Sequence, residues 1–145
     1  MVRPAKIEDK PAVLELLKDF HKESMDKYNI LCDDKIANDF MDKCVDTSFV
    51  LEIENKIVGI LGGMITNYPL NNEKMYYEWV WYVDPKYRLH GVSLFHYLED
   101  YCKDKGIKKI GMALMANSKA EKLEKFYKRL GFELLEKHFI KHIGG

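Results

Sequence analysis

The sequence predicts a mixed α/β fold in which helices pack on the faces of one sheet. Apolar residues recur at helical spacing in four segments, β-prone runs separate these segments, and only brief turns connect them. The predicted order is strand, helix, helix, three strands, helix, strand, helix and strand. A chain of 145 residues has the size of one domain, so we expect a single domain over residues 1–145.

Two helices are predicted after a short opening strand. The first has apolar residues at positions i, i+3, i+4 and i+7. They are Val13, Leu16, Leu17 and Phe20. The second has a weaker stripe, and Asp33 or Asp34 is placed to cap its start. Its apolar residues are Ile36, Ala37, Phe40, Met41 and Cys44.

Three strands are predicted next. The β-prone runs at 48–53 and 56–65 flank Glu54 and Asn55, and two residues are enough to connect an antiparallel hairpin. The run at 75–83, "MYYEWVWYV", is typical of a strand that is buried on both faces. Simple alternation places Glu78, Val80 and Tyr82 on one face and Tyr77, Trp79 and Trp81 on the other, and a bulge would exchange them.

The second half repeats helix and strand. An apolar stripe at 94–102 predicts a helix that Gly106 ends, and 108–116 predicts a strand. The last helix is predicted from a capping box of Ser118 and Glu121, an apolar stripe and a terminal Gly131. The run at 132–143 predicts a closing strand, which could also extend a sheet across a homodimer.

Composition excludes several classes of protein. Lys plus Arg and Asp plus Glu both total 23, so no net charge favours nucleic acid. No run approaches the roughly 18 apolar residues of a membrane span, and the N-terminus has no apolar core of a signal peptide. Three cysteines without paired spacing favour a reducing, cytoplasmic location over disulfides, and the histidines show no metal-ligand spacing. We expect no membrane association and no metal.

The turn between the 75–83 strand and the next helix carries the first chemical signal. Free backbone N–H groups and the helix dipole make such a helix start an anion site. Gly91 would let a phosphate approach the backbone, Ser93 is small, and Arg88 adds a permanent positive charge. The alternative is that Gly91 serves only the turn and Ser93 only caps the helix.

Two stretches of the chain have the form of known sequence signatures. Val83, Asp84 and Pro85 followed by Arg88, Gly91 and Ser93 are similar to the motif R/Q-x-x-G-x-G/A, which follows a strand ending in Val-x-Pro. The segment 126–136, "FYKRLGFELLE", is similar to a second signature, in which a Tyr precedes Gly-Phe by four residues. Through both motifs the chain resembles the GNAT superfamily of acetyl-CoA-dependent N-acetyltransferases. The order of elements also matches, so the resemblance covers essentially the whole chain and implies the acyl-CoA N-acyltransferase fold.

The resemblance implies where acetyl-CoA binds. The pyrophosphate would lie on the N–H groups of residues 89–93, and the pantetheine arm along the end of the 75–83 strand. The residues that it assigns to the coenzyme are Trp81, Tyr82, Val83, Arg88, Leu89, His90, Gly91, Val92, Ser93, Asn117 and Tyr127. Ser93 stands where the family has Gly or Ala. Ala120 stands where it has Asn, so Asn117 is a substitute only if the loop is longer.

The resemblance also implies the reaction. The amine would attack the thioester directly, so the enzyme positions the reactants, polarises the carbonyl and moves two protons. Tyr127 would be the general acid for the departing thiolate, because a phenol is neutral at pH 7 and can donate. Glu78 is the single carboxylate in the 75–83 run, and burial would raise its pKa into the range of a general base. A salt bridge or backbone contact of Glu78, or a water in its place, is the alternative.

Two other functions and several acceptors remain open from the sequence. The chain could be a non-catalytic acyl-CoA-binding sensor, or a protein-interaction module that uses exposed Tyr and Trp residues. In this family the first two helices and variable loops build the acceptor pocket, here about 19–46 and 68–74. Nothing in those segments distinguishes a small amine from an amino acid, a protein or a modified base.

Overall fold

The computed structural model of the chain describes residues 1–117 and 119–144, and these form five strands and four α-helices. The strands are β1 (Val2–Pro4), β2 (Phe49–Ile53), β3 (Lys56–Asn67), β4 (Lys74–Val83) and β5 (Ile110–Gly111). The α-helices are α1 (Lys10–Ser24), α2 (Asp34–Cys44), α3 (Val92–Lys105) and α4 (Ala120–Arg129). The predicted mixed α/β fold is confirmed. Ser118, which the sequence predicts as a cap, lies outside the described residues.

The five strands form one sheet in their order along the chain. The first four run antiparallel to their neighbours, and β5 runs parallel to β4. Glu54 and Asn55 both have positive φ, of 52° and 62°, as a tight two-residue hairpin requires. Asp33 caps α2 as predicted, because its carboxylate accepts the N–H of Ile36 at 3.0 Å.

Each face of the sheet has its own apolar core. On one face α3 packs against the strands, and buried residues such as Tyr76, Val83 and Leu98 meet there. On the other face α1 and α2 contribute Val13 and Met41, among others, which pack against Val80 and Tyr82. The predicted burial of β4 on both faces is therefore observed only in part: Tyr76, Val80, Tyr82 and Val83 are buried, and the other residues of the strand are half-buried or exposed.

A β-bulge in β4 changes which residues share a face. Gly62 of β3 lies opposite Val80 and Gly63 lies opposite Glu78, so Trp79 is an extra residue without a partner. Glu78 therefore does not share a face with Val80 and Tyr82, as simple alternation predicts. It lies on the side that carries Trp81, and Trp79 is 59% exposed.

The last third of the chain has less regular structure than the sequence predicts. The strand expected at 108–116 is limited to Ile110–Gly111, and residues 132–144 form neither helix nor strand, so the predicted closing strand is not observed there. A two-residue β5 offers only a short edge for another strand. Phe132 packs on Phe95 and Tyr127, but the apolar side chains from Leu134 to Ile143 remain exposed, and Phe139 is 93% accessible.

Candidate active site

The candidate active site lies where β4 and β5 separate. The two parallel strands pair only at Tyr76 with Ile110 and at Tyr77 with Gly111. In the part of the chain that the structure describes, no strand pairs with this edge of β4 beyond Tyr77. Ligands of open α/β sheets bind at the carboxyl ends of parallel strands, because unpaired backbone groups and loops meet there.

Glu78 bridges the gap between the separating strands. Its Oε2 accepts the backbone N–H of Ala113 at 2.8 Å, across the point where strand pairing has stopped. The side chain is half-buried, and the loss of solvent around the carboxyl raises its pKa from 4.5 to about 7, although the bond from Ala113 opposes this. A carboxyl with such a pKa can accept a proton near neutral pH.

Tyr127 reaches the same residue from α4. Its hydroxyl donates to the carbonyl of Ala113 at 2.9 Å, and the side chain is buried. Burial, and to a smaller degree the charge of Glu78, hold the phenol's pKa well above its usual value of 10. Tyr127 is therefore a neutral hydrogen-bond donor at any physiological pH. Glu78 and Tyr127, predicted as the catalytic pair, lie together at Ala113.

Trp81 connects Tyr127 to the turn after β4. Its indole ring packs beside the Tyr127 ring with centroids 6.2 Å apart, and beside Phe95 at 6.4 Å. Its Nε1 donates to the carbonyl of Gly91 at 3.3 Å. The sequence predicts a role for the backbone of Trp81. The structure shows that its side chain also contacts both the predicted acid and the predicted phosphate turn.

The predicted phosphate turn coils as a 3-10 helix, Pro85–His90, which runs directly into α3. Gly91 has an ordinary helical φ of −63°, so its backbone conformation does not require glycine. The reason for a glycine here is instead the close approach of neighbouring atoms. A Cβ there would lie 3.3 Å from the Arg88 carbonyl oxygen and 3.3 Å from Val83 Cγ2. The Gly91 N–H donates to that carbonyl at 3.1 Å, and Ser93 Oγ donates to the His90 carbonyl at 2.6 Å.

The outer surface of this turn is open. Leu89 is 95% accessible, and His90 and Ser93 are also exposed, whereas Val92 is half-buried. Two predicted donors, the N–H of Gly91 and the hydroxyl of Ser93, are bound within the turn. Their use by a phosphate would require these internal bonds to open.

Arg88 is already paired. Its Nε donates to the carbonyl of Val83 at 3.0 Å, and its terminal nitrogen contacts both carboxylate oxygens of Glu23 at 2.9 and 3.0 Å. Tyr82 donates its hydroxyl to the same carboxylate at 2.8 Å. Glu23, on α1, is a residue that the sequence reasoning missed. An acid at the polar end of a helix gives no sign of a partner 65 residues away.

Asn117 orders the start of α4. Its Oδ1 accepts the N–H of Lys119 at 2.9 Å, and its carbonyl accepts the N–H of Ala120 at 3.0 Å. The side chain is exposed and directed into its own turn. The structure therefore gives Asn117 a local structural task. Contact with the coenzyme stays a prediction.

The part of the chain that the structure describes has neither a cluster of metal ligands nor a helix that could span a membrane. Within residues 1–117 and 119–144, no three His, Cys, Asp or Glu side chains lie close enough together to form a metal site. None of the helices described is both long and apolar enough to span a bilayer.

Comparison with known proteins identifies the family and the fold. The family model described as "Acetyltransferase (GNAT) family" matches residues 11–132. No curated protein sequence matches the chain. Among solved structures, an acetyltransferase of Trypanosoma brucei is 22% identical, with 99% of each chain covered and a TM-score of 0.73.

Two further structures share the fold. Glucosamine-6-phosphate N-acetyltransferase from Arabidopsis thaliana is 19% identical over 99% of this chain and 98% of its own, with a TM-score of 0.70. An aminoglycoside N-acetyltransferase in complex with CoA is 14% identical over 98% of this chain and 93% of its own, with a TM-score of 0.75. At these identities the likeness establishes the fold, and the family match extends over most of the sequence. The chain belongs to the acetyltransferase (GNAT) family.

Proposed function

We propose that the chain is a single-domain N-acetyltransferase that moves the acetyl group of acetyl-CoA to a primary amine by direct attack in a ternary complex. The observation that carries this proposal is the placement of Glu78 and Tyr127 on the N–H and the carbonyl of Ala113. A carboxyl with a pKa of about 7 and a neutral phenol supply the base and the acid that amide formation needs.

Acetyl-CoA fits the opening between β4 and β5. The pantetheine arm is a chain of amide groups, which can pair with the edge of β4 that no described strand covers beyond Tyr77. The diphosphate would lie on the exposed surface of residues 89–93, near the guanidinium of Arg88. An aminoglycoside N-acetyltransferase of the same fold has been solved in complex with CoA, which supports this coenzyme as the ligand.

In the proposed reaction the acceptor nitrogen attacks the thioester carbonyl while Glu78 accepts a proton from the amine. The N–C bond forms, the C–S bond breaks, and the thiolate receives a proton from Tyr127. Tyr127 must release the Ala113 carbonyl to donate to sulfur, a movement of one hydroxyl rotor and a small side-chain shift. The remainder of the rate would come from orientation and from backbone donors at the carbonyl oxygen.

Calorimetry with acetyl-CoA and a thiol-release assay together test the proposal. We expect the wild type and Tyr127→Phe to bind acetyl-CoA, whereas the double variant Arg88→Ala/Ser93→Trp should not, because it removes charge and blocks the turn. Thiol release with a primary amine should require both Glu78 and Tyr127. Binding without turnover would indicate an acyl-CoA sensor. Absence of binding by the wild type would indicate a protein-interaction module on the same fold.

A further inference from the structure

A cavity of about 420 Å³ lies between α1, α2 and the sheet, on the face away from α3. Apolar side chains dominate its wall, among them Val13, Leu17, Phe20, Ile36, Phe40 and Trp79. Its volume is at the lower end of the range for small-molecule sites, about 300–1,000 Å³. A site of this size suits a small ligand with a largely apolar surface.

The cavity reaches the bulge in β4. Its wall includes Gly63, which pairs with Glu78 in the sheet, and Trp79, which follows Glu78 in the chain. The bulge therefore separates the two ligand sites, with the cavity on one side and the Glu78 contact to Ala113 on the other. A ligand in the cavity could place one end at the bulge, across β4 from the carboxyl of Glu78.

The charged side chains in the wall do not form a site for a polycation. Lys10 pairs with Asp42. His21 contacts the carbonyl of Ile30 at 3.1 Å, and Asp33 is occupied as the cap of α2. The remaining charged residue of the wall is Lys6. A ligand with several ammonium groups would meet one capping carboxylate and two lysines, which is an unfavourable environment for it.

An aromatic pair stands at the mouth of the cavity. The rings of Phe40 and Trp79 meet edge to face, with centroids 5.6 Å apart and planes at 87°. Trp79 is 59% exposed, and Ile36 and Leu31, which line the same cavity, are also exposed. Burying these surfaces against an apolar ligand would gain free energy in proportion to the area removed from water.

We propose that the acceptor is a small primary amine with one positive charge and an apolar, preferably aromatic, body that fills the cavity between α1 and α2. The amine end lies at the bulge, from which its proton reaches Glu78 around the edge of β4 that no described strand covers, and the body packs against Val13, Phe20 and Phe40. This inference rests on the proposed acetyltransferase function and names the substrate class for it.

The test compares primary amines in the thiol-release assay with saturating acetyl-CoA. The series contains phenylmethylamine, 2-phenylethylamine and 3-phenylpropylamine, and the comparison amines are butane-1,4-diamine, glucosamine and a peptide with a free N-terminus. We expect kcat/KM to rise about fourfold for each methylene that becomes buried. We also expect at least tenfold higher kcat/KM for 2-phenylethylamine than for the diamine or the amino sugar.

Two variants of α2 give a matched pair. Ala37→Phe places a ring in the cavity wall, whereas Asn38→Phe adds the same ring at an exposed position outside the wall. Ala37→Phe should reduce kcat/KM for 2-phenylethylamine at least tenfold and leave the Kd for acetyl-CoA unchanged, and Asn38→Phe should change neither. Ala37→Leu provides a milder filling of the cavity if the larger ring disturbs folding.

The outcomes separate this inference from the proposed function. Higher kcat/KM for the diamine, the amino sugar or the peptide would overturn the acceptor class and leave the acetyltransferase standing. Equal effects of Ala37→Phe and Asn38→Phe would overturn the placement in the cavity. Failure to bind acetyl-CoA, or binding without thiol release from any amine, would overturn both.

Discussion

Glu78 and Tyr127 bind the two polar groups of a single residue: the carboxylate accepts the N–H of Ala113 at 2.8 Å, and the phenol donates to its carbonyl at 2.9 Å. One residue of the segment after β5 thus fixes the separation of the proposed base and acid. Their placement depends on backbone atoms, so the side chain of residue 113 has little influence on it. The predictions that follow depend on this arrangement.

Glu78→Gln should remove one limb of the pH profile. The pKa of about 7 means that the basic form of the carboxyl accumulates as pH rises through 7, so wild-type kcat/KM should rise there. Glutamine can still accept the N–H of Ala113 but cannot take a proton, and the rate should fall by about 100-fold. The pH dependence of kcat/KM that arises from deprotonation of the acceptor's ammonium group is the internal control. It is a property of the substrate and should be the same in the variant. An unchanged inflection near pH 7 in the variant would contradict a role for Glu78 as the base.

The same substitution should change how stability depends on pH. The native pKa of Glu78 lies above its usual value of 4.5, so ionisation is disfavoured in the folded state. The stability that its neutral form contributes is complete below pH 4.5 and is lost as pH rises through 7. The free energy of unfolding, measured by urea denaturation, should therefore fall more between pH 5 and pH 8 in the wild type than in Glu78→Gln. Parallel losses in both proteins would show that the carboxyl has an ordinary pKa.

Tyr127→Phe should reduce kcat by about 100-fold while acetyl-CoA still binds, because the ring remains and only the proton donor is lost. The deleted hydroxyl also bonds the Ala113 carbonyl, so the free energy of unfolding should fall by about 1 kcal/mol. Stopped-flow thiol release and urea denaturation measure the two effects separately. A large change in the Kd of acetyl-CoA with unaltered kcat would assign Tyr127 to binding alone.

Glu23→Gln should strengthen acetyl-CoA binding. The Glu23 carboxylate neutralises Arg88 and adds a negative charge near the turn that would hold a diphosphate. Its removal should lower the Kd by about threefold to tenfold and make binding more sensitive to salt. Glu15→Gln, on the same helix and paired with Lys18, is the matched control and should have no effect. Weaker binding by Glu23→Gln would mean that Glu23 chiefly positions Arg88.

Gly63→Ala should be more costly than Gly62→Ala. A Cβ at Gly63 would lie 2.4 Å from the Tyr77 carbonyl oxygen and 2.6 Å from the Tyr76 ring, so the bulge would have to shift. At Gly62 the nearest atom is Ser48 Oγ at 3.1 Å, and adjustment is easier. We expect losses in the free energy of unfolding of about 2–3 kcal/mol and below about 1 kcal/mol respectively. Both changes replace glycine by alanine and so affect the unfolded chain equally. If chemical denaturation showed equal losses in the free energy of unfolding, the bulge would be able to accommodate the methyl group.

Local patterns predicted the helices and the hairpin because each is specified by neighbouring residues. The apolar stripe of α1 and the two-residue turn at Glu54 and Asn55 fix their elements without distant partners. The resemblance identified the family and placed Tyr127 by its spacing to Gly131 and Phe132, and the structure brings Tyr127 to Glu78 through Ala113.

Features that depend on distant partners were not accessible from the sequence. Nearly every residue of β4 is apolar, so its sequence has no alternation of polar and apolar residues. The insertion of Trp79, which forms the bulge, therefore could not be seen as a break in such a pattern. The pairing of Arg88 with Glu23 joins residues far apart in the chain, and Ala113 contributes through backbone atoms that no motif marks. The predicted closing strand failed for a similar reason, because a strand requires an edge to pair with and β5 is short.

The short attachment of β5 has a consequence for local unfolding. Two residue pairs join β5 to β4, whereas β3 and β4 pair at nine positions. Amide hydrogens near Ile110 should therefore exchange with solvent well before those of the β3–β4 ladder. Ala113 lies beyond this short junction, so the proposed base and acid meet next to a weakly paired part of the sheet. A ligand that bridges the two strands would add the missing bonds, and the proposed catalytic geometry would become fully ordered only when the substrate is bound.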